Sequence, residues 1–166
     1  MNLTYLDGNA VEPIGLGNKI IVHCCNDVGA WGAGFVLALS KKWPHVEEKY
    51  REWFSYLSIT SRPFLGQIQI VYAEDGITVC NLIGQRDTGT ITIGCTEISP
   101  IRYEAIYEGL VRLRERIVKS TKTDTISLHM PRMGCGLAGG NWDDVLSCIN
   151  KVFWNMDIDI FVYDFK

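Results

Sequence analysis

Two stretches rich in β-branched residues each empty into a loop made largely of glycine, and a helical pattern follows both times. Lys19 to Cys25 leads through Gly29-Ala30-Trp31-Gly32-Ala33-Gly34 into Phe35-Val36-Leu37-Ala38-Leu39, a run without breakers that reads as a buried helix. Thr125 to Met130 leads through Pro131-Arg132-Met133-Gly134-Cys135-Gly136-Leu137-Ala138-Gly139-Gly140 into a helix capped by Asn141 or Asp143 and reaching Trp154. Strand, backbone-rich turn and helix in that order build layered α/β proteins, so the pattern narrows the architecture before composition is consulted.

The remaining elements fit the same scheme. Leu3 to Leu6 reads as a strand, separated from the next by Pro13, Gly15 and Gly17. Pro44 ends or bends the first helix. From His45 to Leu57, the large residues Tyr50, Trp53, Phe54 and Leu57 recur at helical spacing. Gly66 to Ala73 alternates like an outer strand, and Ile77 to Ile83 is nearly continuous apolar, like an inner one; Asp75-Gly76 marks a hairpin between them. Gly84 to Ser99 is polar, long and without period, which predicts a functional or mobile loop. Pro100 opens a helix to about Ser120, and Ile158 to Tyr163 closes the chain as a strand. The expected order is β β α α β β α β α β, with helices on both faces of a mixed sheet.

At 166 residues the chain can bury one good core, so a single compact domain is expected. A net charge of -3 argues against a nucleic-acid grip and leaves small phosphorylated ligands open. No basic segment followed by an apolar one opens the chain, and no run of eighteen apolar residues occurs, so neither secretion nor a membrane partner is expected. The six cysteines, at 24, 25, 80, 95, 135 and 148, include no Cys-x-x-Cys pair. Reduced thiols in a cytoplasm fit that spacing better than a disulfide framework or a zinc cage, and no metal or cofactor is expected.

The chemistry should sit in the two glycine loops. Glycines 134, 136, 139 and 140 remove the Cβ atoms that would hold a ligand away, and the following helix would add its positive end, so phosphate is the natural guest. Gly134, Gly136 and Gly139 also spell G-x-G-x-x-G, which raises a nicotinamide-linked oxidoreductase as a rival. The match falls late in the chain, with no substrate domain to follow. Tight-turn chemistry explains the same glycines without a ligand. Asn26 suits a ribose or a polarised water, and equally suits an ordinary turn. His23 could exchange protons or could be a satisfied core residue, and His129 is placed similarly. Cys135 near a helix start would favour a thiolate, although small size explains it as well. Trp31, Phe35, Trp142, Tyr163 and Phe165 could stack on a base or fill the core.

These loops, in their order, give the chain a resemblance to the macrodomain family, and within it to the ADP-ribose-1″-phosphate phosphatase-like, Appr-1-p-processing proteins. The segments carrying it are Leu6-Asp7-Gly8-Asn9-Ala10, Val22 to Asp27, Trp31 to Phe35, Asn81 to Gln85, Pro100 to Ala105, Met130 to Trp142 and Val162 to Phe165, nearly the whole chain. The resemblance implies one three-layer α/β/α macrodomain over residues 1–166, with about six strands in a mixed central sheet. It also implies an ADP-ribose cleft across the carboxyl ends of the central strands.

In that cleft, Gly134 to Gly140 resembles the diphosphate cradle, flanked by Pro131, Arg132 and Met133, with Cys135, Leu137 and Ala138 within it. Asp27, Trp31, Gly32, Ala33, Gly34 and Phe35 resemble the wall at the distal ribose. Gly8, Asn9 and Ala10 resemble the adenine end, with Asn9 where the family usually has an Asp reading the adenine amino group, and Phe165 resembles the adenine-side wall. Members that remove ADP-ribose from protein glutamates use a Lys and an Asp. The matching positions here hold Gln85 and Ala138, which can neither form a lysyl adduct nor abstract a proton. The resemblance therefore implies an enzyme that binds ADP-ribose and hydrolyses ADP-ribose 1″-phosphate or a related ester, with Asn26 and His23 as catalytic residues and an ADP-ribosylated protein as a further partner. A non-catalytic ADP-ribose binding module is the alternative.

Overall fold

Neighbouring side chains on the central strands part to opposite faces, and that alternation sets the layers. In β2 (Asn18–Asn26), Ile21 packs beneath helices α1 (Phe35–Lys42) and α2 (Pro44–Ile59). Val22 packs on the other side, with α3 (Tyr103–Lys119) and α4 (Trp142–Phe153). Leu82 and Ile83 divide in the same way on β4 (Ile77–Gln85). The result is a computed structural model with three layers and two apolar cores, and it describes residues 1–60, 64–120 and 125–165.

The central sheet runs β1-β8-β7-β2-β4-β3, where β1 is Asn2–Asp7, β3 Ile68–Glu74, β7 Ile126–Pro131 and β8 Asp159–Asp164. Every pairing is parallel except the β3–β4 edge, which is an antiparallel hairpin at Asp75-Gly76. Five strands therefore end on one edge of the sheet, where such folds hold ligands. The expected mixed sheet with helices on both faces is what forms.

Two expectations need correction. The polar stretch after Gly84 is not all loop: Gly84 and Gln85 complete β4, and β5 (Ile91–Ile93) pairs with β6 (Thr96–Ile98) around Gly94. Three-residue strands are too short to show a period. The following helix starts at Tyr103, not at Pro100, because the residues between extend the edge of β4. Arg86 N donates to Pro100 O, Arg102 N donates to Gly84 O, and Ile101 bridges to Gln85. Among the described residues, no helix is long and apolar enough to cross a membrane.

Candidate functional site

The carboxyl ends of the parallel strands surround a cleft of about 570 Å³. Gly8, Asn9 and Ala10 enter it after β1, His23 and Cys24 from within β2, and Ala33, Gly34, Phe35, Val36 and Ala38 from the loop and first turns of α1. Gln85 comes from the end of β4, and Tyr163 and Phe165 come from β8 and just beyond it. Pro131, Arg132, Met133, Gly134, Gly136, Leu137 and Ala138 form the remaining wall after β7.

The wall from 132 to 140 is tied to itself at some amides and open at others. Cys135 N donates to Arg132 O, Gly139 N to Gly136 O and Gly140 N to Gly134 O, while Asn141 N donates to the Tyr103 hydroxyl. Outside, Ser99 Oγ holds the Ala138 carbonyl at 2.9 Å. The N–H groups of Gly134, Gly136, Leu137 and Ala138 have no protein acceptor among the described residues. Opposite them, Gly34 caps α1 without a side-chain bond, leaving the first-turn amides of Phe35 and Val36 unpaired within the helix. Unpaired amides on both walls are hydrogen-bond donors suited to an anion without side-chain charge.

Gly134 has φ 71°, and a Cβ there would lie 2.6 Å from Ile101 Cδ1, so a side chain at this position is strained. Gly136 differs: a Cβ would meet nothing within 4 Å. The helix that faces the cleft is α1 and not, as expected from sequence, α4. The Asn141 side chain accepts from Asp143 N at 2.8 Å and closes the α4 terminus, which lies outside the cleft lining. With Gly139 turned back on Gly136, the G-x-G-x-x-G spacing is turn geometry and carries no dinucleotide fingerprint into a helix.

Arg132 lines the wall, but its charge is already engaged. Its Nε and Nη2 reach the two Asp164 oxygens at 2.5 and 2.8 Å, and its guanidinium lies over the rings of Tyr5 and Trp142. Gln85 Nε2 donates to Asp87 O at 2.7 Å, so its amide faces a neighbouring turn in which Asp87 adopts φ 62°. Asn9 Oδ1 accepts from Val11 N at 3.2 Å, and its Nδ2 has no acceptor among the described residues. Leu137 and Phe165 stand 82% and 80% exposed on the rim.

Several of the sequence-named residues lie elsewhere. The Asn26 amide closes its own loop: Oδ1 accepts from Val28 N and Ala30 N, and Nδ2 donates to Ala30 O. Asp27 Oδ1 accepts from Asp87 N at 2.7 Å. Trp31 is buried against His23 and Tyr50, with its indole N–H on Ser40 Oγ. Gly32 and Gly139 shape their turns without lining the cleft. Cys135 donates to Met133 O, and desolvation raises its thiol pKa, with Arg132 only partly opposing, which disfavours the thiolate expected there.

His23 is buried at the inner end of the cleft. Burial lowers its pKa to about 4, against a bond with Asn81 that acts the other way, so the ring is neutral near pH 7. Burial also pushes the Cys24 thiol up to about 12. His129 is buried too, between Ser127 Oγ and the Tyr163 hydroxyl, each 2.9 Å away, and does not line the cleft. Sequence reasoning left Cys24, Val36 and Ala38 out of the cleft, while Tyr163, named only as a possible stacking ring, lines it. For Val36, the signal was its place in the first turn after a glycine loop.

A sheet with five parallel carboxyl ends around an amide-lined cleft defines an α/β/α domain built to receive an anionic, nucleotide-sized ligand. No protein-family profile matches the chain. Comparison with solved structures finds a macrodomain protein from Streptomyces coelicolor, 36% identical, with TM-score 0.78, covering 98% of this chain and 99% of that one. Among curated proteins, the ADP-ribose 1″-phosphate phosphatase of Candida glabrata is 22% identical over 96% of this chain and 98% of its own length. The human ADP-ribose glycohydrolase OARD1 is 27% identical over 86% of this chain and 80% of its own length. The chain belongs to the macrodomain family.

Proposed function

We propose that the chain acts as one macrodomain over residues 1–166, binds ADP-ribose in the cleft and hydrolyses ADP-ribose 1″-phosphate to ADP-ribose and phosphate, or a related ADP-ribosyl ester. The observation that carries this reading is the set of unpaired amides at Gly134, Gly136, Leu137 and Ala138 in a cleft whose arginine is already neutralised. Such donors suit a diphosphate. The name of the Candida glabrata relative gives the phosphatase its weight. Gln85 and Ala138 stand against the lysine- and aspartate-dependent route.

In the hydrolysis, a water oxygen bonds to phosphorus as the bond from phosphorus to the ribose oxygen breaks. The ribose oxygen leaves with the proton that the attacking water gives up, and backbone amides stabilise the charge on the phosphoryl oxygens. Within this reading Gly8 to Ala10, Phe165 and Tyr163 hold the base end, and Ala33 to Val36 hold the distal end. An ADP-ribosylated protein is a further ligand of the same chemistry, and the setting is cytoplasmic.

A binding module without turnover draws on one observation: the Asn26 amide closes its own loop, and Asn26 does not line the cleft. Titration with ADP-ribose, with AMP and NAD as controls, tests the binding. Phosphate release from ADP-ribose 1″-phosphate at catalytic enzyme levels decides between the two. Tight binding without release leaves the module; no binding of ADP-ribose sinks both.

A further inference from the structure

A line of amides runs from the exposed side of α2 through half-buried Gln69 to buried Asn81 and His23, and its first member sets the direction of the bonds that follow. Gln69 Nε2 donates to the Lys49 carbonyl at 2.7 Å, Asn81 Nδ2 donates to Gln69 Oε1 at 2.8 Å, and Asn81 Oδ1 meets His23 Nε2 at 2.5 Å. A carbonyl can only accept, so Gln69 must turn its NH2 toward Lys49 and its oxygen toward Asn81. Asn81, fully buried, must then give its own NH2 to Gln69, and only its oxygen is left for the imidazole. Reversing the Asn81 amide would set its oxygen against Gln69 Oε1 in the interior, and reversing Gln69 would set its oxygen against the Lys49 carbonyl at the surface.

We propose that Asn81 is a positioning residue that holds His23, at the inner end of the cleft, as the Nε2–H tautomer. Nδ1, 3.8 Å from the Cys25 thiol, is left as the ring's acceptor. The edge of Trp31, at 5.6 Å between centroids and anchored through Ser40 to Glu47, and the ring of Phe35 at 5.7 Å hold the imidazole from the α1 side. Neutral His23 and the engaged Arg132 leave the binding of an anion to backbone amides. The functional half of this inference rests on the reading of the cleft given above.

The test is the two-bond proton–nitrogen correlation of the imidazole rings in the 15N-labelled, unliganded chain at neutral pH, with His23 assigned by the signals lost in His23→Phe. The expected result is a single Nε2–H pattern for His23. An Nδ1–H pattern, or averaging between the two, would overturn the proposal. Asn81→Leu should release the ring into a mixture of tautomers. Gln69→Leu, on the half-buried edge strand, should do the same by freeing the Asn81 amide to rotate, and it serves if the buried substitution fails to fold. An unchanged Nε2–H pattern in Gln69→Leu would show that Lys49 and Gln69 do not set the direction. Because no ligand is present, failure of the chain to bind ADP-ribose would overturn the reading of the cleft and leave this result as measured.

Discussion

Arg132 and Asp164 form a two-pronged ion pair between the end of β7 and the end of β8, and through it the cradle loop is fastened to the neighbouring strand. The pair is about two-fifths exposed on each side, so it contributes about 1 kcal/mol or less to stability. Its larger effect should be on the loop. Arg132→Ala is expected to lower ADP-ribose affinity at least tenfold while moving the urea midpoint only slightly. Calorimetric titration beside urea unfolding checks this, and unchanged affinity would mean that the cradle holds its shape without the fastening.

Gly134 and Gly136 should separate fold from binding. Gly136→Glu puts a carboxylate into open space in the cradle, so binding should vanish with the fold intact. Gly134→Ala meets Ile101 at a positive φ and should cost about 1–3 kcal/mol of stability. Thermal unfolding and ADP-ribose titration of both variants distinguish these outcomes; undiminished affinity in Gly136→Glu would reject the cradle.

Removing the α4 cap gives the converse. Asn141→Ala deprives Asp143 N of its acceptor and should cost about 1 kcal/mol. Because that helix terminus does not line the cleft, affinity for ADP-ribose should be unchanged. A marked loss of affinity at full stability would return α4 to the site.

Asn26→Ala bears on catalysis. An amide that orients water would, when removed, slow turnover more than it weakens binding. The observed bonds to Val28 and Ala30 lead to a different expectation: the loop before α1 loosens, and affinity and turnover fall together. Parallel measurement of the ADP-ribose dissociation constant and of kcat for phosphate release reads the difference.

Acid should destabilise the fold through its buried histidines. Burial lowers both His23 and His129 to about 4 from an ordinary 6.5. Between those values the unfolded chain binds more protons than the folded one, so stability is full above pH 6.5 and is lost as pH falls toward 4. For His23 the loss is about 3 kcal/mol by the linkage of one pH unit to about 1.4 kcal/mol. Urea unfolding from pH 7 to pH 4 should show the decline, and His23→Phe should remove the His23 share of it, leaving that of His129.

Much of the architecture was legible because the relevant signals are local. The alternation in β3, the apolar run of β4, the helical spacing of Tyr50, Trp53, Phe54 and Leu57 in α2, and the turn at Asp75-Gly76 all act within a few residues. The β5–β6 hairpin was missed because three-residue strands carry no period, and the start of α3 was misplaced because the pairing of Arg102 with Gly84 is a long-range bond. Asn26, Trp31 and Cys135 stand in the right segments, yet each side chain serves its own loop or the core.

By itself the sequence determined the layered α/β arrangement and the two glycine loops, since strand period, helix period and turn chemistry are properties of neighbouring residues. Only the tertiary structure decided which amides in those loops stay unpaired, that α1 and not α4 turns its terminus to the cleft, that Arg132 is neutralised by Asp164, and which way His23 holds its proton. Those outcomes depend on hydrogen bonds between groups as far apart as Arg132 and Asp164 or His23 and Asn81, and the direction of such bonds is fixed only when the chain brings both partners together out of water.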